Sequence, residues 1–131
     1  CARRMTGLVY DTGALIAAEN NDRRIWALHK RALERLTVPI VPAGVLVEAW
    51  RGNSPMLARF LAGTQLEALS ADAARAAGVL LANTADHGVE AVDAMVVEVA
   101  LRRGHAVLTS NYSDISALAD SANRSLDIIS T

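Results

Sequence analysis

The chain has 131 residues, with 13 Lys and Arg against 14 Asp and Glu and a formal net charge of −1. That length suits a single domain, and a hydrophobic share of 52% is enough for a packed core. The near-neutral charge excludes a general polyanion-binding surface, although not a local basic strip.

Lys30 is the only lysine among those 13 cations. Arginine suits bidentate phosphate contacts, and a GC-rich genome gives the same bias. Cys1 is the only cysteine, which excludes a disulfide framework and a cysteine-rich zinc site. No stretch approaches the ~20 apolar residues of a membrane span. The apolar run from Leu8 to Ala18 is interrupted by Asp11 and has no cleavage site after it, so it does not read as a signal peptide. A cytoplasmic protein is expected. Residues 1–4 read as a cloning remnant, with Met5 the natural start and one domain over 5–131.

In chain order, Leu8-Val9-Tyr10 is a short apolar strand ending at Asp11, and Thr12-Gly13 opens an Ala-rich helix. Asp22 caps a second predicted helix reaching Leu36, with Ile25, Leu28, Ala32, Leu33 and Leu36 as its apolar stripe. Val38 to Val41 reads as a buried strand, and Pro39 must then sit at its start or on an edge. Pro42 precedes a helix from Ala43 to about Trp50. Ser54-Pro55 caps the next, which runs to Leu61. A third strand is predicted from Gln65 to Leu69, then a helix capped by Ser70 and running to Leu81.

Asn83 to Gly88 is a polar loop. Val89 to Arg103 forms an amphipathic helix with Val92, Met95, Val96, Val99 and Ala100 inward, stopped by Gly104. Ala106 to Thr109 is a strand. Ser113 caps a helix from Asp114 to Ser121, and Leu126 to Ile129 is a last strand. Strands alternating with helices predict an α/β fold with a mainly parallel sheet. In such sheets ligands bind beyond the carboxyl ends of the strands, where the strand order reverses.

Three acids stand alone in apolar surroundings. Asp11 is the only charge between Thr6 and Ala18, Glu48 between Val38 and Trp50, and Asp93 between Ala91 and Val97. A lone carboxylate on a core-forming segment is costly without a partner. Three of them point to one shared partner, a divalent metal, and oxygen-only donors favour Mg²⁺ or Mn²⁺. Pockets of this kind commonly act on phosphodiesters. Asn111, just past the strand at Ala106 to Thr109, stands where a fourth acid would be expected. His29, His87 and His105 have no suitably spaced Ser or Cys partner, which disfavours a hydrolase triad, and there is no Gly-rich P-loop.

These residues resemble a known family. Leu8-Val9-Tyr10-Asp11-Thr12-Gly13-Ala14-Leu15, Val47-Glu48, Val92-Asp93-Ala94 and Leu108-Thr109-Ser110-Asn111 look like the motifs of PIN-domain ribonucleases, and more narrowly of VapC toxins from bacterial toxin–antitoxin pairs. The resemblance runs in order over nearly the whole chain from Met5. It implies a three-layer α/β/α sandwich, Mg²⁺- or Mn²⁺-dependent endoribonuclease activity on RNA, with tRNA among the candidate substrates, inhibition by a cognate VapB-like antitoxin, and a homodimer. It makes Asp11, Glu48 and Asp93 the catalytic, metal-ligating acids. Asn111 departs from the usual Thr-Ser-Asp, keeping an acceptor oxygen but losing a charge, and Asp114 falls where the family often has a further acid. Thr12, Ser110 and Arg51 are candidate substrate or partner contacts.

Each residue also has an ordinary reading. Asp11 can be a helix N-cap, Glu48 a solvent-facing helix residue, Asp93 a first-turn acid favoured by the helix dipole, Asp114 a cap, and Asn111 a turn residue. Arg51 and Arg59 can be solvated, and Trp26 and Trp50 are core or interface anchors more often than base-stacking platforms. The alternative function is a catalytically weakened PIN domain that works by binding. A phospho-acceptor receiver-like domain is disfavoured, because that chemistry uses a lysine near a late strand and the chain has only Lys30.

Overall fold

The computed structural model describes residues 7–84 and 88–131. The readings for residues 1–4, Met5 and His87 lie outside them. Among the described residues five short strands form one sheet: β1 (Leu8–Tyr10), β2 (Ile40–Pro42), β3 (Gln65–Glu67), β4 (Ala106–Thr109) and β5 (Ile128–Ser130). Their order is β3-β2-β1-β4-β5 and every pairing is parallel. The chain builds outward from β1 through β2 to β3, then crosses back to place β4 on the other side of β1. The order therefore reverses between β1 and β4, whose register pairs Leu8 with Ala106 and Tyr10 with Leu108.

Parallel strands covered on both faces need continuous rather than alternating apolar runs. Val9 and Tyr10 in β1 and Val107 and Leu108 in β4 are fully buried, which meets that requirement. Among the described residues seven helices surround the sheet: α1 (Thr12–Glu19), α2 (Arg23–Glu34), α3 (Ala43–Ala49), α4 (Pro55–Ala62), α5 (Ala71–Ala82), α6 (Ala91–Arg103) and α7 (Tyr112–Ser121). α1 packs with α2 and α4, and α6 packs with α5 and α7, giving an α/β/α sandwich. α3 touches both α1 and α6. Because it starts directly after β2, it bridges the two helical layers at the carboxyl edge of the sheet.

Several starts follow capping chemistry. Asp22 accepts from the N–H groups of Arg24 and Ile25, and the Ser54 and Ser70 hydroxyls accept from Leu57 and Ala73. Gly104 ends α6 in the left-handed region at φ 68°, where a side chain would be strained. Pro39 stands just before β2, as its missing N–H requires, and its carbonyl accepts from Gln65 N–H at 2.8 Å.

Three expectations are corrected. The buried stripe of α2 is Ile25, His29 and Ala32, while Leu33 is half-exposed and Leu36 is 91% exposed. His29 is inside because the buried Tyr10 hydroxyl needs a partner, and the two meet at 2.9 Å. α6 is covered beyond a single stripe, with Ala94 and Val97 buried as well as Val96 and Val99, because it lies between the sheet and α5 and α7. α7 begins at Tyr112 with Asn111 at its N-cap, not at Asp114 capped by Ser113. The Thr109 hydroxyl accepts the Asn111 N–H at 2.8 Å and turns the chain immediately after β4.

An ion-pair network not read from the sequence joins α6 to β3. Arg102 bridges the buried Glu98, at 2.8 Å, and Glu67, which Arg103 also holds, at 2.6 Å. Burial works against the Glu67 carboxylate, yet the two guanidinium groups together hold its pKa below the ordinary value. Arg102→Ala would leave Glu98 desolvated without its partner. A loss of about 1–3 kcal/mol in urea unfolding is expected, recovered in part by adding Glu98→Gln.

Candidate functional site

The carboxyl end of β1 carries Asp11. It is only 4% exposed, so the protein itself must solvate it. One carboxylate oxygen accepts the Ala14 N–H at 3.0 Å and the other accepts the Thr109 hydroxyl. The N-cap reading and the site reading of Asp11 are thus compatible, since one oxygen caps α1 and the other faces β4. Burial pushes its pKa up, opposed first by the Thr109 hydrogen bond and then by the N–H groups of Ala14, Ser110 and Gly13. Gly13 is required here: a Cβ on it would lie 1.9 Å from the Ser110 Oγ, so only glycine lets α1 approach the end of β4.

The other acids arrive from three helices. Glu48, late in α3, accepts the Thr12 hydroxyl at 2.6 Å. Asp93, in the first turn of α6, accepts the Glu90 N–H at 3.4 Å. Asp114, in the first turn of α7, accepts the Asn111 side-chain amide at 2.7 Å. All four line one cleft of about 300 Å³, together with Thr12, Gly13, Ile16, Gly88, Glu90, Ser110 and Asn111. Residues scattered over a hundred positions of sequence meet there because β1 and β4 are adjacent and α3, α6 and α7 all end or begin at the same edge.

Of the predicted site residues, Asp11, Thr12, Glu48, Asp93, Ser110, Asn111 and Asp114 are brought together. Arg51 is not among the lining residues. Its guanidinium turns back onto the carbonyls of Val47 and Trp50 at the end of α3, at 3.2 and 3.3 Å. Sequence reasoning missed Glu90, taken as interior to a longer helix. Its signal is the spacing: an acid three residues before Asp93, at the helix N-cap, stands beside it. A larger apolar groove of about 660 Å³ between α2 and α4, lined by Trp26, His29, Leu33 and Arg59, holds one acid, Glu34, and lacks this chemistry.

The cleft is electrostatically one-sided. Among the described residues its lining has five carboxylates (Asp11, Glu48, Glu90, Asp93 and Asp114) and no Lys, Arg or His. The Asp93 pKa is raised from 3.8 to about 6, first by burial and then by the charges of Asp114, Asp11 and Glu90, against the Glu90 N–H. The donor set is oxygen-only, which fits a hard divalent cation. Among the described residues no three His, Cys, Asp or Glu side chains already stand close enough together to hold an ion. Each principal acid is instead held by its own neutral donor, so cation binding requires the carboxylates to turn inward.

The fold and cleft define a PIN-like α/β/α domain. Two solved structures share that fold. One is VapC20 from Mycobacterium tuberculosis, a toxin that cleaves the sarcin–ricin loop, 20% identical over 76% of this chain and 85% of that chain, with a TM-score of 0.57. The other is FitAB bound to the IR36 DNA fragment, 15% identical over 94% of each chain, with a TM-score of 0.62. At such identities the likeness is one of fold. No protein-family model matches the sequence, and no curated protein matches it either.

The raised Asp93 pKa has a stability consequence. The folded state holds this proton more tightly than the unfolded chain, so the stabilisation is present below pH 3.8 and lost as pH rises through about 6. With chelator present, wild type should therefore lose thermal stability relative to Asp93→Asn over that interval. Adding Mg²⁺ above it should raise the wild-type melting temperature more than that of the variant.

Proposed function

We propose that this chain is a metal-dependent endoribonuclease that hydrolyses RNA phosphodiester bonds, acting as the toxin of a toxin–antitoxin pair. The observation that carries the reading is the convergence of Asp11, Glu48, Asp93 and Asp114 on one cleft whose described lining contains no cation. Asp11, Asp93, Glu48 and Asp114 would hold Mg²⁺ or Mn²⁺. When bound, such a cation lowers the pKa of a water and neutralises charge at the scissile phosphate.

The chain's own residues do the positioning. The Thr109 hydroxyl and the Ala14 N–H fix the Asp11 carboxylate at the floor. The Thr12 hydroxyl orients Glu48 on one wall, and the Asn111 amide orients Asp114 on the other. None of the acids is a covalent nucleophile in this reading; they bind and orient. The partners proposed are RNA, with tRNA as one candidate, a VapB-like antitoxin and a second copy of the chain. The shared fold with VapC20 and FitAB supports the RNA substrate and the antitoxin among them. Among the described residues no helix is long and apolar enough to cross a membrane.

Asp11→Asn keeps an oxygen acceptor for the Ala14 N–H, so the fold should survive within about 1 kcal/mol. Cleavage of labelled RNA with Mg²⁺ or Mn²⁺ should fall below about one hundredth of wild type. EDTA should abolish the wild-type activity. Full activity in Asp11→Asn would remove the proposal.

One observation favours a weakened, binding form of the same domain: Asn111 adds no charge to the cleft, and its amide occupies an oxygen of Asp114. If that limits catalysis, Asn111→Asp should raise both metal affinity, read by calorimetry, and the cleavage rate. No gain in either, with Asp114→Ala damaging both, would assign the fourth acidic role to Asp114.

A further inference from the structure

The cleft lining poses a problem for a nucleic acid. Its five carboxylates repel a phosphate backbone, its described lining has no Lys or Arg, and the chain's net charge is −1. Counterion-release affinity, the usual source of grip on nucleic acid, is therefore weak at the point of reaction. Uncharged contact with the bases is a source that this charge does not oppose, and aromatic stacking provides it irrespective of sequence.

The aromatic residues divide cleanly. Tyr10, Trp26 and Phe60 are committed to one internal cluster around His29, with ring centroids 4.1–6.0 Å apart. Trp50 closes α3 and is the less exposed of the remaining two, at 37%. Tyr112 is 54% exposed. It is the first residue of α7, directly after Asn111 and two before Asp114, both of which line the cleft. Among the described residues it has no ring contact and no hydrogen bond, so no such interaction commits its ring.

We propose that Tyr112 is a substrate-binding residue: its ring is the platform on which an unpaired base of the RNA, next to the scissile phosphodiester, stacks. This rests on the nuclease reading above and specifies its substrate as RNA with unpaired bases at the cleavage point, since bases inside a duplex offer no free face. Tyr112 is not itself among the lining residues; it stands at the rim, joined to the acid-lined wall through its chain neighbour Asn111. A base on Tyr112 would hold its neighbouring phosphate over the cleft without adding charge to it.

The test uses the full chain and a randomised-sequence single-stranded RNA pool, alone and annealed to its complement. Wild type, Tyr112→Ala and Tyr112→Phe are compared for cleavage at low and at saturating RNA. Binding is measured separately in the Asp11→Asn background. Tyr112→Ala should weaken binding and low-RNA cleavage by between about fivefold and a hundredfold, with the saturated rate much less affected. Tyr112→Phe, which keeps the ring, should restore both, and the duplex should be a poor substrate for all three. Equal behaviour of Tyr112→Ala and wild type would overturn the proposal, as would a Phe variant as impaired as Ala, which would make the hydroxyl the active group. A wild type that binds RNA without cutting it would sink the nuclease reading alone, with the binding comparison still deciding Tyr112. A wild type that neither binds nor cuts would remove both.

Discussion

A carboxylate buried at the end of a central strand constrains everything around it. Asp11 cannot be solvated by water at 4% exposure, so its hydrogen bonds must come from the protein. They come from α1, through the Ala14 N–H, and from β4, through the Thr109 hydroxyl. The β1–β4 register, the start of α1 and the end of β4 are consequently coupled. The same Thr109 hydroxyl receives the Asn111 N–H, which sets where α7 begins and so where Asp114 stands. Gly13 belongs to this arrangement because any side chain there would meet Ser110.

The protein treats its acids in two ways. Away from the cleft, Glu67 and Glu98 are neutralised by Arg102 and Arg103, which makes them structural ties between β3 and α6. Inside the cleft the donors are hydroxyls, backbone amides and one side-chain amide, none of which cancels charge. Those donors orient the carboxylates but leave their mutual repulsion in place, and the Asp93 pKa is raised first by burial and then by the neighbouring acids. Uncancelled negative charge on an ordered oxygen-only lining is the physical basis for proposing a divalent cation there, and it also explains why substrate grip has to be sought at the rim.

Much of this was legible in the residues. Continuous apolar runs marked the strands, Asp22, Ser54 and Ser70 marked helix starts through their capping chemistry, and Gly104 marked an end. The isolation of Asp11, Glu48 and Asp93 marked the cleft, because charge is expensive on core-forming segments. What failed to show were features depending on a distant partner. His29 looked like an ordinary helical residue until Tyr10 needed a hydrogen bond. Leu33 and Leu36 fitted a helical stripe but face outward. Glu90 was absorbed into a helix that starts one residue later.

Sequence by itself determined the alternation of strand and helix and the residues that are too polar for their surroundings, because capping, periodicity and desolvation act over a few neighbouring positions. Tertiary structure alone decided that Asp11, Glu48, Asp93 and Asp114 share one cleft, that Arg51 stands outside its lining, and that Asn111 is spent on Asp114. The reason is the strand order: only the reversal between β1 and β4 brings the edges carrying α1, α3, α6 and α7 to one place, and no local pattern encodes which strands will be neighbours.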